Sequence, residues 1–143
     1  MIYLVGSLRN ERIPIIDNRL TAEGFEVFSD WYSPGPKADD HWKDYEKARG
    51  KTYLQALDGW AAKHIFEFDL YHLKRADTAV LVAPAGRSGH LELGWALGQG
   101  KKGYILLESE LDRWDIMLKF ATGIFTRIED LIYALKKDAK ESD

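Results

Sequence analysis

Residues 79–97 read AVLVAPAGRSGHLELGWAL, and the pattern of this stretch decides the predicted fold. It begins with an apolar, partly β-branched run that is typical of a buried strand, and the small and polar residues that follow indicate a loop. A helix is predicted next, with Glu92 in its first turn. A carboxylate just past the carboxyl end of a buried strand lies where open α/β sheets form their binding sites.

Strand-like and helix-like segments alternate along the rest of the chain, which predicts an α/β fold with a mostly parallel five-stranded sheet. We expect the strand order 2-1-3-4-5, which makes the first and third strands neighbours where the winding of the chain reverses. The predicted strands are residues 2–5, 25–28, 78–82, 103–107 and 124–126. Besides the Glu92 helix, the predicted helices are residues 12–23, 52–76 with a break near Gly59, and 128–137.

Length, net charge and cysteine content limit the classes of protein to which this chain can belong. The 143 residues suffice for one domain with a core, which we assign to residues 1–137, and the charged tail 138–143 is expected to fray. A net charge of -3 gives no bulk attraction to nucleic acid polymers or to anionic membranes. The apolar start, residues 1–7, is too short for a signal peptide or a membrane span. The absence of cysteine excludes thiol chemistry and fits a reducing cytoplasm, the expected location.

Two carboxylates are candidates for chemistry. Glu92 is either a nucleophile or base in the crevice, or a residue that complements the helix dipole and caps the residues before it. Asp69 falls on the apolar face of the helix that precedes the third strand, where an aspartate is either salt-bridged in the core or directed at a site. A pair of carboxylates at one crevice is the arrangement that cleaves glycosidic bonds.

Two loops hold the candidates for ligand binding. The first follows the first strand and offers backbone N–H groups and a guanidinium to an anion or a sugar hydroxyl, unless it is only a turn. The second precedes the Glu92 helix, and its small residues leave room for a ligand. The residues are Gly6, Ser7 and Arg9 in the first loop, and Gly86, Ser88 and Gly89 in the second. The four histidines have no metal-ligand spacing, and no Walker or dinucleotide glycine motif occurs, so neither a metal nor a cofactor is predicted.

Three segments, in this order, resemble the nucleoside 2-deoxyribosyltransferase family, which includes deoxynucleoside 5′-monophosphate N-glycosidases. They are IYLVGS at residues 2–7, the segment from Asp69 to Ala76-Asp77, and SGHLELGWA at residues 88–96. The resemblance covers nearly the whole chain. It implies a flavodoxin-like fold with helices on both faces of the sheet. It also implies cleavage of the N-glycosidic bond of a 2′-deoxynucleoside or nucleotide, by base transfer or by hydrolysis.

The resemblance assigns roles to individual positions. Glu92 matches the nucleophile, Asp69 matches the aspartate that contacts the deoxyribose, and Tyr3 matches the tyrosine that orients the nucleophile. The Gly-Ser-x-Arg turn after the first strand looks like the phosphate-binding turn of the branch that acts on monophosphates. The expected partner is therefore a small nucleoside or nucleotide.

The resemblance also implies a homodimer or a higher homo-oligomer, because family members complete each site with a neighbouring subunit. That subunit often contributes an Asn-x-Met or Ser-x-Met segment, and Asp115 and Met117 stand at this place here. The chain departs from the family at Asp115. It departs again at Gly86, where typical transferases carry an aspartate that helps handle the base.

Residues 29–51 form a long stretch without periodicity, rich in aromatic residues, and no family feature matches it. Loops of this length are usually functional or disordered, and the aromatic content argues against disorder. Trp31, Tyr32 and Trp42 are candidates for a lid that stacks on a base, the alternative being a small hydrophobic cluster beneath the loop.

Two other functions stay open from the sequence. One is an NAD-cleaving glycohydrolase similar to Toll/interleukin-receptor-like domains, which also place a glutamate in such a crevice. The other is a nucleotide-binding module without catalysis, since fold alone does not fix function.

Overall fold

The computed structural model describes residues 1–142, which form a five-stranded parallel sheet with six α-helices around it. The sheet order is 2-1-3-4-5, as predicted. The strands are β1 (Ile2–Val5), β2 (Val27–Phe28), β3 (Thr78–Val82), β4 (Lys102–Leu106) and β5 (Gly123–Phe125). The helices are α1 (Arg12–Ala22), α2 (Ala38–Ala48), α3 (Tyr53–Leu57), α4 (Trp60–Arg75), α5 (Arg87–Gly98) and α6 (Ile128–Glu141), with 3-10 helices at Asp30–Tyr32 and Ile116–Phe120.

The core consists of two clusters, one on each face of the sheet. Ile2 and Leu4 of β1 face the cluster that α1 and α6 cover, whereas Tyr3 and Val5 face the cluster that α4 and α5 cover. This alternation follows from the two-residue period of a strand. Because β1 and β3 are covered on both faces, their sequences are continuous apolar runs.

Residues 29–51 are more regular than the sequence predicted. Nearly half of the expected loop is α2, which has Asp39 and Asp40 in its first turn and Lys47 in its last turn, charges that complement the helix dipole. The only buried residue of α2 is Glu46, which forms a 2.8 Å ion pair with Arg49. The apolar residues Ala38, Trp42 and Tyr45 stand at helical spacing, a pattern that the prediction missed among the charged residues around them.

Apolar spacing in the sequence predicts that Ile15 of α1 and Ile65 and Phe68 of α4 face the core, and these positions are wrong. On α4, Ile65 and Phe68 are about half exposed and Leu73 is the buried residue, and on α1 the buried residues include Ile13 rather than Ile15. For α4 the reason is length. A helix of 16 residues spans about 24 Å, whereas strands of up to five residues span about 17 Å, so the first half of α4 extends past the sheet.

Helix α6 extends to Glu141, into the tail 138–143 that was expected to fray, and Asp143 lies outside the described residues. The final turns of α6 are tied to the sheet by a hydrogen bond from the Tyr104 hydroxyl to the Asp138 carboxylate. The other element boundaries lie within two residues of their predicted positions. Among residues 1–142, no helix has the length and apolar character needed to cross a membrane.

Candidate active site

A carboxylate and a phenol form the centre of the candidate site. The Tyr3 hydroxyl of β1 donates a 2.7 Å hydrogen bond to Oε2 of Glu92 on α5, and the Tyr3 side chain is fully buried. Since α5 begins at Arg87, Glu92 lies in its second turn rather than its first. It therefore does not cap the helix, and the capping alternative is wrong.

The environment of Glu92 favours the protonated carboxyl group. Burial raises the pKa of Glu92 to about 7; the hydrogen bond from Tyr3 opposes this shift and the nearby charge of Asp69 adds to it. The same burial, together with Glu92, raises the pKa of the Tyr3 hydroxyl, so Tyr3 remains a hydrogen-bond donor. A carboxyl group that titrates near neutral pH in a crevice is a candidate for catalysis.

Asp69 is the second carboxylate near this centre. It lies half-buried on α4 and makes no ion pair within 4.0 Å in the described part of the chain, so the salt-bridge alternative is wrong. Burial raises the pKa of Asp69 to about 6. Its charge raises the pKa of both Tyr3 and Glu92, which places Asp69 within electrostatic range of the pair.

The two predicted ligand loops meet at Gly89. A Cβ atom on Gly89 would lie 3.2 Å from Cγ1 of Val5 and 3.7 Å from the backbone nitrogen of Gly6, so only glycine fits without displacing its neighbours. Gly86 is the N-cap of α5, and Ser88 follows in the first turn. This helix start has neither a side-chain cap nor an acidic residue, which leaves its N–H groups available to an anion.

The loop after β1 is partly occupied by its own contacts. The backbone N–H of Arg9 donates to Oγ of Ser7 at 3.1 Å. The guanidinium of Arg9 lies 3.7 Å from the carboxylate of Asp40 on α2, and both side chains are exposed. An exposed pair at this distance is weak, so a phosphate group could displace Asp40 from Arg9.

Asp115 and Met117 belong to a different part of the surface. The Asp115 carboxylate accepts the backbone N–H of Met117 at 3.0 Å and so caps the 3-10 helix at Ile116–Phe120. Met117 is exposed, as are Trp114 and Phe120 beside it. Asp115 also lines a groove of about 690 Å³ whose lining does not include Tyr3, Asp69 or Glu92.

The aromatic residues of the predicted lid are packed rather than presented to the crevice. The Trp31 indole N–H donates to the Leu4 carbonyl at 2.8 Å, and its ring contacts the core, as does Tyr32. Trp42 packs edge-on against Tyr53 beside a cavity of about 380 Å³ between α2 and α3. The alternative of hydrophobic packing beneath this segment describes these rings better than a base-stacking lid.

Two aromatic residues near the centre were missed by the sequence reasoning. Phe28 lies opposite Tyr3 in the register of β1 and β2, and His72 of α4 stacks on Phe28. The one available signal was the spacing of His72 three residues after Asp69, which puts both on one side of α4. Among residues 1–142, no group of three or more potential ligands could hold a metal ion.

Comparison with known proteins gives a match in structure. No family model matches this sequence, and no curated protein matches it. Among solved structures, the chain is similar to one described as the CMP N-glycosidase BcmB of Clostridium botulinum, with a TM-score of 0.56 and 16% sequence identity. The match covers 95% of this chain and 99% of the other. At this identity the likeness shows the fold alone: both chains have the flavodoxin-like arrangement of five parallel strands.

Proposed function

We propose that this protein cleaves the N-glycosidic bond of a 2′-deoxynucleoside or of its 5′-monophosphate, with Glu92 as the nucleophile. The observation that carries the proposal is the part-buried Tyr3–Glu92 hydrogen bond of 2.7 Å, within electrostatic range of Asp69. The shared fold with a protein described as a CMP N-glycosidase supports the same class of reaction.

The chemistry follows from the two oxygens of Glu92. Tyr3 donates to Oε2, which orients the carboxylate and leaves Oε1 for attack on C1′ of the sugar. The bond from C1′ to the base nitrogen breaks, the base takes the electron pair, and a glycosyl ester to Glu92 forms. Water or a second base then attacks C1′, the ester bond breaks with its electron pair returning to the Glu92 carboxylate, and the departed base takes up the proton that the attacking group loses. The product is the free sugar or a new nucleoside. Hydrolysis and transfer thus share the first step.

The remaining candidates would bind the rest of the substrate. Asp69 has no partner for its carboxylate among residues 1–142, so it can accept a hydrogen bond from a deoxyribose hydroxyl. The turn at Gly6 and the adjoining start of α5 supply backbone N–H groups for a 5′-phosphate, and Arg9 supplies a positive charge once it leaves Asp40.

The decisive experiment incubates the protein with a panel of deoxynucleosides and their 5′-monophosphates, with and without an acceptor base, and detects free base by chromatography. Glu92→Gln is the test variant, and Glu67→Gln, an exposed glutamate on α4, is the matched control. We expect release of base that falls about 10²-fold or more in Glu92→Gln and is unchanged in Glu67→Gln. Nicotinamide release from NAD alone, or binding without bond cleavage, would contradict the proposal.

A further inference from the structure

The orientation of Glu92 depends on Tyr3, so the contacts that fix the Tyr3 ring bear on the site. Tyr3 and Phe28 are paired in register across β1 and β2, and their ring centroids lie 5.2 Å apart at an interplanar angle of 33°. Phe28 is almost fully buried. The Tyr3 phenol therefore packs against an aromatic neighbour on the adjacent strand.

Phe28 in turn is held from α4. The His72 ring stacks on Phe28 with centroids 4.0 Å apart and planes 14° from parallel. Phe68, one turn earlier on α4, meets both rings edge-on, at 5.8 Å from Phe28 and 4.8 Å from His72. Stacked and edge-on pairs of this kind each add to the free energy of packing beyond the buried area. A continuous set of rings thus joins α4 to the tyrosine on β1.

The His72 ring is itself fixed by a polar contact. Nη1 of Arg75 lies 3.3 Å from Nδ1 of His72, and the second Nη of Arg75 donates to Glu26 at 2.7 Å. Because arginine can only donate, Nδ1 of His72 accepts in this contact. Arg75 thereby sets the plane of the imidazole that stacks on Phe28.

His72 also stands three residues after Asp69, so the two side chains project from the same side of α4. The turn of α4 that carries Asp69 is thereby anchored to the sheet at the Phe28 ring. Asp69 acts on Tyr3 and Glu92 through its charge, and this influence varies with the distance between α4 and β1.

We propose that His72 is a positioning residue, which fixes the Tyr3 ring through Phe28 and holds Asp69 at its distance from Glu92. The consequence for catalysis rests on the function proposed above, but the consequence for the Tyr3–Glu92 hydrogen bond does not. Without the His72 ring, Phe28 and Tyr3 gain freedom, and the hydroxyl no longer stays on Oε2 of Glu92.

The experiment compares four variants. His72→Ala removes the ring, His72→Gln keeps a polar side chain of similar length without an aromatic face, and His72→Phe keeps the stacking but not the acceptor for Arg75. Tyr71→Ala is the matched control, because Tyr71 is exposed and meets His72 only edge-on at 5.1 Å. Two quantities are measured in each: the kcat and KM for the substrate found, and the titration of the Glu92 carboxyl carbon by NMR.

We expect His72→Ala and His72→Gln to lower kcat about tenfold with KM changed less than about threefold. In both, the pKa of Glu92 rises by about 0.5 or more, since the Tyr3 hydrogen bond favours the carboxylate. His72→Phe restores most of both properties, and Tyr71→Ala leaves both unchanged. The NMR titration applies to any of these variants that folds and needs no substrate, so it tests the positioning role even if the proposed function fails. An unchanged or lower pKa of Glu92 in folded His72→Ala or His72→Gln would overturn the proposal.

Discussion

At the scale of single residues, the centre of the site is a carboxylate in an environment that disfavours its charge. Folding buries Glu92 and supplies one hydrogen bond, from Tyr3, which offsets the burial only partly. Such an arrangement lowers stability at neutral pH and is common where a residue serves chemistry rather than packing. The effects of burying Glu92 on stability and on reaction rate can be measured separately, because the two quantities depend differently on pH.

The stability consequence has a definite sign. The pKa of Glu92 is about 7 in the folded protein against 4.5 for the free side chain, so its contribution to stability is fully present below pH 4.5 and is lost as the pH rises through 7. Glu92→Gln cannot lose a proton. We therefore expect the Tm of Glu92→Gln, relative to wild type, to rise by a few degrees between pH 4.5 and 8. Thermal unfolding across this range is the measurement, with Glu67→Gln as control, and a difference that does not change with pH would contradict the expectation.

The reaction rate should change with pH in the opposite direction, because stability falls and the rate rises as the pH increases. In the proposed reaction Glu92 must be ionised to attack, so kcat/KM should rise with pH and level off above about 7, the pKa raised by burial. Below about pH 6 Asp69 also takes up a proton, and the dependence should steepen. A pH–rate profile measures both limbs. A profile that is flat from pH 5 to 8 would show that neither carboxylate needs its charge.

Asp69→Asn separates the catalytic from the structural reading of Asp69. The substitution nearly preserves shape and removes a buried charge that has no ion-pair partner, so the Tm should hold or rise slightly. Replacement of the charged acceptor for the sugar by a neutral amide should lower kcat/KM about tenfold to a hundredfold. The measurements are thermal unfolding and steady-state kinetics. A large drop in Tm with normal activity of the folded fraction would instead identify a core residue.

At the scale of elements, the segment between β2 and α4 is where sequence and structure differ most. The central strands were predictable because both faces of the sheet are covered, which makes their sequences continuously apolar. Helix α2 was not predicted, because its few apolar residues lie among exposed charged residues and Glu46 is its one buried residue. The ion pair of Glu46 with Arg49 lies within the same segment and does not attach α2 to the sheet.

The residues of the candidate site likewise divide into those that could be predicted from the sequence and those that could not. Glu92 was predictable from its place after a buried strand, and Tyr3 from the resemblance of the first strand to a known family. The ring stack of Phe28 and His72 could not be predicted, because the two residues belong to β2 and α4 and lie 44 positions apart in the sequence. The spacing of residues along the chain indicates which of them share one face of a helix or strand. It does not indicate which other element packs against that face.

The two tryptophans of this segment provide a matched pair of substitutions. The indole N–H of Trp31 donates to the Leu4 carbonyl, whereas the buried indole N–H of Trp42 has no acceptor in the described chain. Trp31→Phe leaves a buried carbonyl unpaired and should lower the free energy of unfolding by about 1–3 kcal/mol. Trp42→Phe removes an unsatisfied donor and should cost clearly less. Urea unfolding of both variants tests this, and equal losses would contradict the assigned contacts.

At the scale of the whole molecule, much apolar surface lies outside the core. The exposed aromatic and aliphatic side chains concentrate on α3, α4 and the 3-10 helix at Ile116–Phe120 and include Tyr53, Leu54, Trp60, Phe66, Trp114, Ile116, Met117 and Phe120. A monomer rarely leaves so many large apolar side chains in water, and protein interfaces are enriched in aromatic residues and methionine. We therefore propose that the active unit is a homo-oligomer in which Met117 reaches the crevice of a neighbouring subunit.

Mixing two inactive variants tests the shared site. Glu92→Gln lacks the nucleophile, and Met117→Lys disturbs the segment proposed to reach the neighbour. In a mixed dimer, one of the two crevices combines a native glutamate with a native Met117 segment, so activity should return toward about half of the wild-type value per mixed dimer. Subunit exchange is verified separately by mass labelling. No recovery after exchange, or a monomer by light scattering at the assay concentration, would contradict a shared site.

The bare backbone of Gly94 in the middle of α5 has a practical use. A Cβ atom at this position would meet no other atom of the subunit within 4 Å, and the residue is exposed. Glycine inside a helix is about 0.5–1 kcal/mol less favourable than alanine, so Gly94→Ala would make a more heat-resistant catalyst two residues from Glu92. In an oligomer that packs on α5 the same methyl group would weaken association instead. The Gly94→Ala substitution therefore either stabilises the protein or, by weakening association, shows that a neighbouring subunit packs on this surface of α5.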